Sequence, residues 1–294
     1  MSITMDTLCL ECQFRRNLEL ARTLGSEDQA MAFARDLMDM YSKGPADVCS
    51  VWFTPRISRL LQQHYGLPID RLRSEKEQSN RFVLERMELL RSRVQDSADP
   101  VLAGLRLSII GNYLDFSALQ GKVSFEEFEQ MLARADRMTF DEDVYRRFLS
   151  DLQRGQRLLY LTDNAGEIGF DRIFAEAIAN AYPQLAITFC VRGGPTLNDA
   201  TREDAQCVGI PFPVIDNGNC IPGTLPELLS AEASDALHTA DVILSKGMAN
   251  AETLLGSGYP VYYALLVKCQ RFSAVFGKPL MTPVLAAEQQ GGTL

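Results

Sequence analysis

Histidine is scarce in this chain, with 2 residues in 294, and positive charge falls short of negative, with 29 Lys and Arg against 38 Asp and Glu. The net charge of −9 argues against a nucleic-acid partner, because such binders carry a basic footprint. It also repels anionic ligands at long range, so a phosphate has to be met by local cations or a metal. No apolar run approaches the roughly 20 residues of a membrane span, and the amino end lacks a basic-then-apolar signal sequence. A cytoplasmic protein with no membrane partner is expected. Seven cysteines, an odd and scattered set, do not form a secreted disulfide framework. One Cys-x-x-Cys pair, Cys9 and Cys12, lacks the second Cys or His pair that a zinc site needs, since His64 and His238 stand alone. A phosphate-cradling loop ending in Gly-Lys-Ser/Thr is also missing, which argues against ATP-driven transfer.

What the chain does hold is concentrated at residues 159–171. An apolar, strand-like run, Leu158 to Leu161, empties into Asp163, Asn164 and Glu167. An amphipathic helix follows at once, with Phe170, Ile173, Phe174, Ala177, Ile178 and Tyr182 at near 3–4 spacing. Ligands of open α/β sheets bind beyond the carboxyl ends of strands, where such loops lie. Crowded carboxylate and amide oxygens suit Mg²⁺ or Mn²⁺ better than a thiophilic metal. One helix cap needs one such residue, and three are present.

The same construction recurs. Leu185 to Val191 is a compact apolar strand ending in Arg192-Gly193-Gly194-Pro195, with Asn198-Asp199 beyond; Ala240 to Ser245 runs into Lys246-Gly247; and Val261 to Val267 ends at Lys268-Cys269. Gly193 and Gly194 permit close backbone approach to a ligand. Repeated strand–loop–helix units predict an α/β fold with a doubly wound, mostly parallel, Rossmann-like sheet. The polar residues then converge on one rim. The first half is dominated by helical periodicity, as in Val83, Met87, Leu90 and Val94, or Ile57, Leu60, Leu61 and His64. Ser124 and Glu127 have the spacing of a capping box. We therefore expect a helical domain over residues 1–150 and an α/β catalytic domain over 151–294. Within the helical half, Asn112 and Asp115 interrupt an apolar helix, either satisfied locally or lining the pocket. Lys76 and Asn80 form an i,i+4 pair that sequence alone places on a solvated face.

Asp-Asn-Ala-Gly-Glu at 163–167, Val-Arg-Gly-Gly-Pro with Asn-Asp at 191–199, Ser-Lys-Gly at 245–247, Gly111-Asn112 with Asp115, Lys76 with Asn80, and Cys9-Leu10-Glu11-Cys12 occur in order along nearly the whole chain. Together they resemble the metal-dependent damage-control phosphatases, once catalogued as a domain of unknown function, and specifically their stand-alone microbial branch. The resemblance implies metal ligands at Asp163, Asn164 and Asp199, with Mn²⁺, Mg²⁺, Co²⁺ or Ni²⁺ as the cation. It implies phosphate and substrate contacts at Glu167, Arg192, Ser245 and Lys246, and brings Asn112, Asp115, Lys76 and Asn80 toward the pocket. The chain departs from the family at Met248-Ala249, where polar residues are usual, a difference that bears on the substrate.

The expected activity is hydrolysis of small phosphate esters, such as sugar phosphates or damaged phosphometabolites. Asp163, Glu167 and Lys246 are the expected catalytic groups, with either a metal-bound water or the Asp163 carboxylate attacking. Two alternatives share the fold: an S-adenosylmethionine-dependent carboxyl methyltransferase and a non-catalytic sugar-phosphate-binding protein. Clustered hard oxygens with Arg and Lys argue against methyl transfer, which needs neither. For Cys9 and Cys12 the expected role is structural, as a local disulfide or an accessory metal site.

Overall fold

A computed structural model of the protein describes residues 3–112 and 125–288. Asp115 and the Ser124 half of the expected capping box lie outside the described residues. Helices α1 (Thr7–Leu24), α2 (Glu27–Lys43) and α3 (Thr54–Tyr65) bury a small core of Ala21, Phe33, Leu37, Phe53, Ile57 and Leu61. Ser26 and Gln29 form a reciprocal capping box that starts α2, satisfying two backbone donors that the first turn leaves orphaned. Helices α4 (Arg73–Leu84), α5 (Met87–Gln95) and α6 (Pro100–Gly111) follow, then α7 (Phe125–Ala135) and α8 (Glu142–Arg154). The break between α5 and α6 falls where Asp99 caps the new helix and Pro100 occupies its first position.

The second half alternates β1 (Arg157–Leu161), α9 (Glu167–Ala181), β2 (Ala186–Val191), α10 (Arg202–Cys207), β3 (Val214–Asp216), α11 (Ala231–Thr239), β4 (Val242–Lys246), α12 (Gly247–Leu254), β5 (Val261–Leu266), α13 (Gln270–Phe276) and β6 (Pro283–Ala287). The six strands are ordered β3-β2-β1-β4-β5-β6, all parallel except β6, which runs antiparallel to β5. The order reverses between β1 and β4, opening the crevice where ligands bind in doubly wound sheets.

Both sheet faces are covered, which is why the strands are apolar throughout rather than alternating with polar residues. Leu158, Tyr160, Phe189, Val191 and Leu244 point into one core with Leu105 and Ile109 of α6, Phe148 of α8 and Phe174 of α9. Their neighbours Leu159, Leu161, Cys190 and Ile243 point into the other, against Leu237 of α11, Leu254 of α12 and Phe272 of α13. Helices on either side of residue 150 thus share the first core. Helices α4 to α6 reach the sheet through α9, where Val83, Leu90, Leu107 and Ile110 meet Phe170 and Ile173. No helix among the described residues is long and apolar enough to cross a membrane.

The seven cysteines are all free thiols, so the local disulfide expected between Cys9 and Cys12 is not formed. Arg271 instead donates from Nη1 to the Cys9 sulfur at 3.0 Å. Burial pushes the Cys9 thiol up, against the pull of Arg271. A Cys9→Ser, Cys12→Ser double variant is expected to lower Tm by about 2–4 °C, the effect of roughly one lost hydrogen bond in a chain of this size. Turnover per folded molecule should stay within about twofold of the parent in steady-state assays, since one weakened surface contact leaves the strand-end loops in place. A collapse of kcat in well-folded double variant would move the pair into the active site.

Candidate active site

Two loops at the carboxyl edge of the sheet lie side by side. The loop after β1 and the one after β2 form an antiparallel bridge at Asn164 and Asp199. Backbone bonds from Ala200 N to Asp163 O (2.8 Å) and from Ala165 N to Asn198 O (2.9 Å) close the pairing. Asp199 is thereby brought to Asp163 and Asn164 from a later loop, and all three are buried.

The hydrogen bonds around them form a clamp. Asp163 Oδ2 accepts from Asn112 Nδ2 at 2.8 Å and from Asn164 Nδ2 at 2.7 Å. Glu167 Oε2 accepts from the same two amides, at 2.9 and 2.8 Å. With its NH₂ spent on two carboxylates, Asn164 keeps its oxygen for another partner. Among the described residues no donor is bonded to Asp163 Oδ1 or Asn164 Oδ1. Asn112, at the end of α6, therefore joins the site from the helical half.

Two buried cations support this cluster rather than projecting from it. Arg192, 1% exposed, donates from Nε to Asp199 Oδ2 (2.7 Å), from Nη1 to Gly223 O (2.8 Å), and from Nη2 to Thr162 O (3.1 Å) and Asn250 Oδ1 (3.2 Å). Lys246 donates to Glu167 Oε1 (2.7 Å) and to Ser108 O (2.9 Å), and pairs with Asp171 Oδ1 at 3.0 Å. Burial works against its charge, yet Asp171 and Glu167 hold its ammonium above the ordinary lysine value. Sequence reasoning aimed both cations at a phosphate; in this arrangement they hold carboxylates and backbone carbonyls.

The other residues singled out from the sequence are distributed around this centre. Gly193 N donates to Asn219 O (2.9 Å) and Asn217 Oδ1 (2.8 Å), so its N–H is committed to the neighbouring loop. Ser245 is fully buried, and its hydroxyl has no hydrogen-bond partner among the described residues. Lys76 and Asn80 do not lie on a solvated face: Lys76 Nζ pairs with Asp204 Oδ2 at 2.8 Å, both side chains being buried. Asn80 donates to Asp204 Oδ1 (2.8 Å) and accepts from Gly166 N (2.7 Å), tying α4 to the loop that carries Asp163. The reason is tertiary, because Asp204 on α10 supplies the partner that lets the pair be buried.

Sequence reasoning placed Lys268 and Asn250 on the rim without giving either a role, and missed Asp171 and Asp204. Asp171 lies four residues beyond Glu167 on the same face of α9, a spacing that signals a shared partner. Lys268 is half-buried just past β5, and its charge acts on Asp163. Burial, with the charges of Glu167 and Asp199, pushes the Asp163 carboxyl well above the usual range, against the pull of Lys268 and Arg192. Burial likewise pushes Asp171 up to about 7, opposed by Lys246 and reinforced by Glu167.

Among the described residues no three His, Cys, Asp or Glu side chains form a metal-binding group. The candidate ligand set is two carboxylates and an amide, and its chemistry fits a hard divalent cation. The oxygens are the right donors, and Asp163 and Asn164 each keep one to which no described residue donates.

The fold and this rim define an α/β protein with an acidic, oxygen-rich side-chain cluster at the switch point of its sheet. Residues 5–282 match a family model described as the damage-control phosphatase ARMT1-like domain. The chain belongs to that family. It is 31% identical to a damage-control phosphatase of Archaeoglobus fulgidus over 275 residues, covering 90% of this chain and 93% of the relative. A damage-control phosphatase of Pyrococcus horikoshii is 35% identical over 169 residues, 56% of this chain and 57% of the relative. A crystal structure of a DUF89 family protein from Pyrococcus horikoshii superposes with a TM-score of 0.81 at 26% identity, covering 98% of this chain and 100% of the other.

Proposed function

We propose that the chain is a cytoplasmic, divalent-metal-dependent phosphomonoesterase acting on small phosphorylated metabolites, with sugar phosphates as the substrate class. The family supports a phosphatase, and the observation that carries the metal is the pairing of the Asp163 and Asp199 loops, which gathers two carboxylates and an amide at one buried place. Mn²⁺, Mg²⁺, Co²⁺ or Ni²⁺ held by Asp163, Asn164 and Asp199 would supply Lewis-acid polarisation of the ester and an activated water.

The protein's own part is orientation. Arg192 fixes Asp199 through Nε and is itself pinned by Gly223, Thr162 and Asn250. Glu167 and Asp163 together hold the Asn164 amide by its nitrogen, presenting the oxygen as a ligand. Lys268, half-buried just past β5, is the cation whose charge reaches Asp163 from the rim, and it would act on the non-bridging phosphate oxygens. Such a preorganised charge stabilises the transition state without reorganisation at the moment of reaction.

The test is turnover of p-nitrophenyl phosphate and a panel of sugar phosphates. Activity should vanish with chelator and return with Mn²⁺, Mg²⁺, Co²⁺ or Ni²⁺. Lys268→Ala should lower kcat/KM by about 10²-fold while Mn²⁺ affinity, measured by calorimetry, changes little. Full activity in chelator-treated, metal-free protein would overturn the metal reading. Normal kinetics in Lys268→Ala would remove that residue from the phosphate.

A further inference from the structure

An ammonium has three N–H donors and no more. Lys246 has three acceptors within reach, Glu167 Oε1, Asp171 Oδ1 and the Ser108 carbonyl, so each donor has a protein partner. Asp171 Oδ1 also accepts from the Tyr160 hydroxyl at 2.7 Å, and its Oδ2 is buried with no hydrogen-bond partner. Tyr160, Glu167, Asp171 and Lys246 are all fully buried. Two carboxylates thus share one ammonium out of contact with water. A buried carboxylate beyond the number needed for charge balance costs stability. Glu167 alone would pair Lys246, so the presence of Asp171 calls for a role.

The contacts run without a gap toward the site. Tyr160 and Lys246 both bond Asp171 Oδ1; Lys246 bonds Glu167 Oε1; Glu167 Oε2 accepts from Asn112 and Asn164, whose amides also hold Asp163 Oδ2. We propose that Asp171, supported by Tyr160, is a positioning residue for the phosphatase reaction, holding the Lys246 ammonium against Glu167 and thereby fixing the two amides that orient Asp163. The inference rests on the phosphatase reading above. Lys246 accordingly acts on the rate through Glu167 and not on phosphate affinity, because its donors are already engaged. Tyr160 acts only through Asp171.

The test uses the full chain loaded with Mn²⁺, p-nitrophenyl phosphate as substrate and inorganic phosphate as competitive inhibitor. Asp171→Asn keeps the size and one acceptor oxygen but removes the charge. It should lower kcat by about 10-fold, as loss of a supporting partner around an active site typically does. KM and the inhibition constant of phosphate should stay within about twofold of the parent, a split that a merely structural role does not produce. Tyr160→Phe should lower kcat by about threefold, less than Asp171→Asn because the hydroxyl acts only through Asp171. The Asp171→Asn, Tyr160→Phe double variant should be no slower than Asp171→Asn alone, since both changes act on one link.

If Asp171→Asn fails to fold, Tyr160→Phe carries the test by itself, and an unchanged kcat there overturns the proposal. Weakened phosphate inhibition in either variant also overturns it, because Lys246 would then be reaching the phosphate. An inert parent enzyme has a different meaning: the phosphatase reading fails and this inference falls with it.

Discussion

A Gly247→Ala variant is expected to lose turnover by about 10²-fold or more. Gly247 follows Lys246 at the end of β4 and holds φ at +74°, a region that disfavours any residue with a Cβ. A Cβ built there lies 2.0 Å from Asp163 Oδ2, the oxygen that both asparagine amides grip. The methyl group has to displace that carboxylate, and displacement of a reacting group by about 1 Å costs on the order of 10²-fold in rate. Gly258 supplies the control. Its φ is +79°, yet a Cβ there meets nothing within 4 Å. Gly258→Ala should therefore lower Tm through backbone strain but leave kcat nearly intact. Parent-like kcat in Gly247→Ala would mean that the Asp163 carboxylate is not where the chemistry needs it.

The second large effect concerns the ligands themselves. Asp163→Asn or Asp199→Asn removes an anionic oxygen while keeping the shape, and each should reduce turnover by about 10³-fold, the scale of losing a principal electrostatic element. Mn²⁺ should no longer raise the Tm of either variant. The metal-free parent carries the converse signature. Asp163 and Asp171 have folded-state affinities for the proton above the unfolded value of 3.8, the latter at about 7. The folded state binds more protons than the unfolded chain, so their contribution is fully present below about pH 4 and is lost as pH rises through the folded values. Tm of the metal-free parent should fall between pH 5 and pH 8, and Mn²⁺ should restore it most at the upper end. Asp163→Asn, which has no carboxylate to bury, should melt higher than the parent at pH 8 without metal. A lower melting point for that variant under those conditions would contradict a costly burial of the Asp163 charge.

The sheet was legible where strands are long and apolar. The runs at 158–161, 185–191, 240–245 and 261–267 each overlap a strand of the sheet, because burial on both faces writes a continuous hydrophobic signature. Strands β3 and β6 left no such mark. One has three residues, and the other is an antiparallel edge strand opening on Pro283, where a missing N–H is tolerated. Asp163, Asn164 and Glu167 stood out because three polar residues at a strand end exceed what one helix cap requires, whereas Asp199 joined the candidate ligands through the family resemblance. Partners of buried charges were not. Lys76 looks solvated until Asp204 is brought to it across 128 positions of chain, and Arg192 looks available until four acceptors close around it. Local pattern reports which side chains are polar, whereas the fold decides which of them still have a donor to offer.

The guanidinium of Arg271 has a consequence for how the chain assembles. It bonds the Cys9 sulfur and the Thr4 carbonyl and pairs with Asp6, spanning 262 residues in the first of these contacts. Ile3 N likewise reaches Glu252 O at 2.8 Å. During synthesis helix α1 emerges well before the residues that receive it. Closing so long a loop is entropically costly and is recovered only once the sheet exists to dock against. Helix α1 is thus a clasp that can shut only once the chain around residues 252 and 271 is in place.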